Sequence, residues 1–238
     1  MTVRPAPRPV PAGDDRQFRD RAAEVYDTLF RLRGHQHWWP GETPFEVAVG
    51  AVLTQNTAWI NVERAIANLK AANVLAARAL LDLPPDGLAT MLRPAGYFNV
   101  KARRLHHLVR FLDDRAGGDP ARLPTDDPAR LRSDLLAVPG VGRETADSIL
   151  LYAVGVPVFV IDAYTRRLFG RLGLLDPAAD YDVLRAAFEA ALPRDTALYN
   201  DYHAQIVAHA KHTCRARPAC GDCPFRDWCP TAAIGRAS

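Results

Sequence analysis

The chain has 238 residues, 48% hydrophobic and 24% charged, a length that allows one large domain or two small lobes. No apolar run is long enough to span a membrane as a helix, which excludes a helical membrane protein. The net charge is only +3, but Lys70, Lys101 and Lys211 are the only lysines among 30 basic residues, and an arginine excess alone is weak evidence for a nucleic-acid partner. Residues 1–14, MTVRPAPRPVPAGD, combine proline and arginine without a hydrophobic pattern and predict a disordered tail. From about Gln17 the pattern turns helical, with Phe18, Ala22, Val25, Leu29 and Leu32 on one side. Proline-containing stretches then interrupt at 37–44, 83–87 and 117–128. Between them the periodicity predicts helices at about 45–55, 58–73, 75–82, 86–93, 99–115 and 129–137. VPVFVI at 156–161 is the best strand candidate, but it is short and isolated, so the expected class is all-α.

At 135–153, LLAVPGVGRETADSILLYA implies two short helices joined by Pro139-Gly140-Val141-Gly142, with the second starting near Arg143. Two glycines permit a tight turn and bring backbone N–H groups close to a ligand. A phosphate can sit at such a helix start; an ordinary αα-hairpin carries the same small residues. Farther on, Asp162 ends an apolar stretch in VIDAYTRR, a position that also suits a helix cap. Arg166, Arg167 and Arg171 follow it, and Arg215, Arg217 and Arg226 lie near the C-terminus; each group suits a phosphate-facing surface or a solvated helix face.

The four cysteines, Cys214, Cys220, Cys223 and Cys229, fall in one C-x5-C-x2-C-x5-C run. The opening residues carry no apolar core of a secretory leader, so disulfides are not expected. Structural zinc usually takes two tight pairs, and only Cys220 and Cys223 form one. A central pair flanked by two single cysteines suits a cubane iron–sulfur cluster, with zinc as the alternative.

The hairpin, Asp162 and the terminal cysteines together resemble the endonuclease III family of helix-hairpin-helix DNA glycosylases, from about residue 20 to 230. The resemblance implies an all-α, two-lobed fold with a C-terminal [4Fe–4S] cluster loop. Residues 1–15 would be the tail, 16–36 with 157–238 the cluster lobe, and 37–156 a helical bundle carrying the hairpin, with DNA across the cleft between the lobes. It implies that Asp162 is catalytic, that Gly140, Gly142, Arg143 and Thr145 meet backbone phosphate, and that the four cysteines hold the cluster. The family's first cysteine spacing is usually one residue longer than Cys214–Cys220. GYFNVKARR resembles the family's minor-groove insertion loop, which makes Tyr97 and Phe98 a wedge and Lys101 a phosphate contact. AVLTQNT matches the helix whose glutamine, here Gln55, fills the space left by a flipped base.

One departure bears on the chemistry. Bifunctional relatives carry a lysine where this chain has Glu144, in GVGRETA, and a carboxylate cannot form a Schiff base. The expected reaction is monofunctional, with water as nucleophile, Asp162 stabilising positive charge on the sugar, and Glu144 either assisting water or simply meeting the helix dipole. A bifunctional glycosylase and abasic-site lyase, or a DNA-binding relative with little catalysis, are the alternatives. Trp38, Trp39 and Phe45, with GRETADSILLYA and IDAYTRR, resemble the branch that removes 3-methyladenine, and aromatic faces suit a cationic alkylated purine. The expected partner is double-stranded DNA containing a damaged base. The protein is expected to be monomeric, cytoplasmic and nucleoid-associated in a bacterium.

Overall fold

In the computed structural model, which describes residues 15–234, several of the prolines that break the sequence pattern become helix starts. Pro44 opens α2 (Pro44–Leu53), Pro85 opens α5 (Pro85–Met91), Pro128 opens α7 (Pro128–Leu136) and Pro230 opens α12 (Pro230–Ile234). At a first helical position proline gives up only an N–H that has no intrahelical partner. Aspartates cap several other starts: Asp162 before α9 (Ala163–Arg171), Asp180 before α10 (Tyr181–Ala191) and Asp195 before α11 (Thr196–His212), each accepting from a first-turn amide. The remaining α-helices are α1 (Asp15–Arg33), α3 (Trp59–Ala71), α4 (Ala77–Asp82), α6 (Phe98–Ala116) and α8 (Arg143–Ser148). Every regular element among the described residues is helical. No helix among them is long and apolar enough to cross a membrane.

The chain divides into two compact units. One joins residues up to Trp38 to those from Val158 onward, and the other runs Trp39–Pro157. Of the expected tail, residues 1–14 lie outside the described residues, while Asp15 already belongs to α1.

In the first unit α1 packs on α10 and α11. Ala22, Val25 and Leu29 are fully buried, but Leu32 is 57% exposed. The inward place after Leu29 is one helical turn on, at Arg33, whose half-buried side chain reaches His209. The core is aromatic: Phe159 stacks on Phe188 at 4.2 Å, Phe169 meets Phe188 edge-on at 4.7 Å, and the Tyr202 hydroxyl donates to Ala22 O at 2.6 Å. The strand candidate is a correction: 156–161 is a largely buried connection without regular structure, and it has no partner strand among the described residues. Side chains replace the ladder, since Phe159 N donates to Glu189 Oε1 at 3.0 Å and Ile161 N to the Tyr181 hydroxyl at 3.3 Å.

In the second unit α2 is the central helix. All residues Phe45–Leu53 are buried, as expected of a helix apolar on every side. It packs on α6, on α8 and on the π-helical turn Ile149–Val154 that continues α8.

Candidate functional site

The hairpin is built from α7, the turn through Gly142, and α8. Arg132 clamps its helices together with a two-pronged ion pair to the fully buried Asp147, at 2.6 and 3.0 Å. Gly140 has φ +92°, and a Cβ there would lie 2.2 Å from Arg104 Cγ, so any other residue would have to displace the Arg104 side chain on α6. Gly142 caps α8 in an extended conformation with no side-chain hydrogen bond to the first-turn amides. Gly140, Gly142, Arg143 and Glu144 are exposed. An anion approaching these amides would meet the positive end of the helix dipole. Thr145 points the other way: its side chain is buried and its hydroxyl accepts from Gln55 Nε2 at 2.9 Å. Only its backbone remains for the expected phosphate contact.

Gln55 is held by three hydrogen bonds. Its Nε2 also donates to Gly140 O at 3.1 Å, and its Oε1 accepts from Arg104 Nη1 at 2.5 Å. His107 adds a second strut from α6, with Nδ1 3.1 Å from Pro139 O. Arg104 and His107 are contributors that sequence reasoning missed, because their apparent role was only that of polar faces on α6.

Tyr97 has φ +46° and is 73% exposed, next to Gly96 at φ +68°. A bulky residue held in the left-handed region beside a turn glycine is a strained projection of the kind found at functional sites. Phe98 is half-buried with the Arg93 guanidinium over its ring at 5.7 Å. Lys101 is a correction. It is 1% exposed, and its Nζ donates to Leu53 O at 2.8 Å and Ala95 O at 2.7 Å. Burial, with Arg104 adding, pushes its pKa down to about 8. It ties the end of α2 to the loop below Tyr97 and does not reach out to phosphate.

Trp39 meets Trp59 edge-on at 5.2 Å and Tyr152 at 5.0 Å, with Tyr152 on the π turn. Such turns recur at functional sites. A Cβ at Gly50 would lie 3.4 Å from Trp39 Nε1 and 3.5 Å from Trp59 Cη2, so glycine lets both rings settle on α2. Trp59 and Tyr152 were not singled out from sequence, since each reads there as a lone helix aromatic. Phe45 is a correction: it is buried in the first turn of α2 and belongs to the core. Trp38 is half-buried.

Asp162 lies in the first unit and is 9% exposed. Its Oδ1 accepts from Thr165 N at 2.7 Å and Thr165 Oγ1 at 2.9 Å, and its Oδ2 is 3.4 Å from His203 Nε2. Burial raises its pKa, but His203 and the Thr165 donors outweigh burial and hold the carboxyl below its ordinary value. The group is therefore a buried carboxylate kept ionised. No local pattern pointed to His203, which comes from α11.

The four cysteines line one cavity, shared with Leu168, Leu172, Phe225 and Ala232, and none is in a disulfide. Among the described residues no three His, Cys, Asp or Glu side chains converge on a single ion. Four thiols around one cavity are nonetheless a donor set that suits a metal centre. Burial pushes the Cys223 thiol up, and the other three cysteines push it further, so gathering all four as thiolates calls for metal charge among them. Arg33, half-buried beside them, has no carboxylate partner among the described residues, and its Nη1 makes no hydrogen bond there. Arg171 donates to Cys214 Sγ at 3.3 Å, to Arg215 O at 2.6 Å and to Ala216 O at 2.9 Å, and Arg167 donates to Cys214 O at 2.9 Å. Arg166 is likewise spent on Pro177 O and Ala179 O, both at 2.8 Å. The cluster at 166–171 thus braces loops from within, which corrects its reading as a phosphate face. Arg215, Arg217 and Arg226 are exposed.

Comparison with known proteins shows the family of this chain. The HhH-GPD superfamily of base excision DNA repair proteins matches residues 49–194. A candidate DNA repair glycosylase of Methanocaldococcus jannaschii is 47% identical over 87% of this chain and 94% of its own length. Endonuclease III of Escherichia coli K12 is 30% identical over 79% of this chain and 83% of its own. Among solved structures, an endonuclease III–DNA complex superposes with a TM-score of 0.80 over 92% of this chain and 99% of its own, at 22% identity. The H. pylori 3-methyladenine DNA glycosylase bound to 1,N6-ethenoadenine gives a TM-score of 0.68 at 27% identity, over 82% of this chain and 97% of its own.

Proposed function

The chain belongs to the HhH-GPD superfamily of base excision DNA repair proteins and is a DNA glycosylase; from that premise we propose that it is monofunctional and releases an alkylated purine from double-stranded DNA by water attack at the sugar C1′. The observation that carries this reading is Glu144. It stands exposed in the first turn of α8, where bifunctional relatives place the lysine that attacks C1′. The other amines offer little replacement. Lys101 is buried on two carbonyls, and Lys70 is paired with Glu42 and Glu46, both at 2.9 Å. Lys211 lies on α11.

In the proposed reaction the glycosidic bond breaks with its electron pair leaving on the base, and water supplies the new C1′–O bond and releases a proton. Positive charge develops on the sugar as the bond breaks. Asp162, ionised by His203 and Thr165, would stabilise that charge and orient the water. Tyr97 would wedge the stack and the hairpin amides would grip a phosphate, with Gly140, Gly142 and Arg143 at the contact. The Trp39, Trp59 and Tyr152 cluster supports an aromatic, electron-poor base as the substrate, because ring faces attract cationic purines. The likeness to the H. pylori 3-methyladenine glycosylase points the same way.

Cys214, Cys220, Cys223 and Cys229 would hold a [4Fe–4S] cluster. When bound, it would supply a four-way cross-link of the loop and a one-electron couple. A base-release assay over alkylated, oxidised, deaminated and mismatched DNA tests the function. Release of a methylated purine with the abasic strand intact until alkali is expected. Borohydride trapping and strand cleavage by the unaltered protein would overturn the monofunctional reading.

A further inference from the structure

Arg33, His209 and Cys223 form a line that the proposed base chemistry does not use. Arg33 Nη2 lies 3.3 Å from His209 Nδ1, and His209 Nε2 lies 3.7 Å from Cys223 Sγ. His209 is fully buried in α11, and its ring meets Phe225 edge-on at 5.3 Å. Its carbonyl also accepts from Cys214 N at 2.9 Å, so one residue touches both arms of the cysteine loop.

The direction of the hydrogen bonds follows from donor chemistry. A guanidinium has only donors, so Nδ1 must accept from Arg33. The imidazole proton is then on Nε2, the nitrogen that faces the sulfur. Arg33 has no carboxylate partner among the described residues, so its charge is turned toward this ring and the cysteines beyond it.

We propose that His209 is an N–H···S donor to the Cys223 ligand sulfur, fixed in its donor tautomer by Arg33, and that this relay sets the reduction potential of the cluster. The proposal rests on the reading that the four cysteines hold a [4Fe–4S] cluster. Hydrogen bonds to ligand sulfurs withdraw electron density and stabilise the reduced state. Arg171, donating to Cys214 Sγ at 3.3 Å, acts on another ligand in the same sense. The relay differs because its strength depends on which imidazole nitrogen carries the proton, and Arg33 on α1 decides that.

The test uses iron-loaded holoprotein, with iron per chain, reduction potential and the electron paramagnetic resonance signal measured for each variant. His209→Leu should shift the couple to a more negative potential by at least a tenfold change in the oxidised-to-reduced ratio, about 59 mV for one electron. His209→Gln, whose amide can accept from Arg33 and donate to sulfur, should stay near the native potential. Arg33→Leu should shift in the same direction as His209→Leu. Arg33→Gln, which keeps a donor without charge, should shift less. A native potential in iron-loaded His209→Leu would overturn the proposal. Should that variant not retain iron, a native potential in Arg33→Leu does so. Equal shifts in Arg33→Leu and Arg33→Gln would show that Arg33 acts by charge alone, which also overturns the relay. Native protein that holds zinc and no iron would overturn the cluster reading and this one together.

Discussion

Asp162 shows how a buried acid is kept charged. Desolvation alone would favour its neutral form, and only the partners on Thr165 and His203 reverse that. Asp162→Asn keeps the cap geometry approximately and removes the charge. It should retain lesion binding and lose ~10²–10⁴-fold in single-turnover base release, the range for charge-stabilising and acid–base groups. Near-native excision would remove Asp162 from the mechanism. His203→Leu tests the other half. With its pKa held below the ordinary value, the carboxylate stays ionised through neutral pH and is lost only as pH falls through that depressed value. Without His203 burial dominates, so the acid limb of the single-turnover pH profile should move to higher pH. An unmoved limb would show that the carboxylate owes its ionisation to Thr165 alone. Asp162 as a helix cap was legible in sequence because that signal is local: an apolar run, an acid, then a helix; a part in the reaction was suggested only by the family resemblance. His203 was not legible, because its partner is distant in the chain and nothing local sets it apart from His209 and His212 on the same helix.

Helices were legible where punctuation and periodicity agreed, as at Pro44, Pro85 and Pro128. Leu32 shows the limit: a residue one place short of the inward turn position is exposed, and Arg33 takes the buried side. The run at 156–161 had strand composition, yet strand formation needs a neighbour that composition does not reveal. The turn of the hairpin was legible from its glycines, but the support from α6 was not. Gly140→Ala tests that support. A side chain at φ +92° costs ~1–3 kcal/mol, and its Cβ would displace the Arg104 stem and so the grip on Gln55. Weaker DNA binding with the helical content retained is the expected result, measured by titration of abasic-site DNA; native affinity would mean that the turn tolerates the change. Lys101 makes the corresponding link between α2 and the Tyr97 loop. Unfolded lysine keeps its proton to about 10.5 and the folded group gives it up near 8, so stability should rise with pH between those values. The rise is at most about 3 kcal/mol. Denaturant melts should show it in the native protein and lose it in Lys101→Met; a slope that persists in the variant would belong to another group.

At the scale of the molecule, the first unit is closed by segments far apart in sequence rather than by neighbours. α1 finds its partners in α10 and α11, and no local pattern encodes that pairing; only the family resemblance suggested it. The same unit holds the cysteine loop, whose described residues form turns and one short helix and have little regular structure of their own. Arg167 and Arg171 pass any movement of that loop into α9, because their guanidinium groups donate to carbonyls at 210 and 214–216. α9 begins at the Asp162 cap. Loss of one of the four cysteines should therefore reach the Asp162 carboxylate, the group proposed to act in the reaction, without touching it. Cys220→Ser is predicted to lower the iron content and to destabilise the first unit by about 4 kcal/mol or more, the scale of a lost metal. Amide exchange should quicken in α9 and the end of α11, and base release should fall along with DNA affinity. The hairpin helices α7 and α8 belong to the other unit and are clamped by Arg132 and Asp147, so their protection should persist. Uniform acceleration across both units would mean that the molecule unfolds as one body. Unchanged exchange in α9 would mean that the arginine braces hold the loop without the metal, and the proposed structural duty of the cluster would fall with that result.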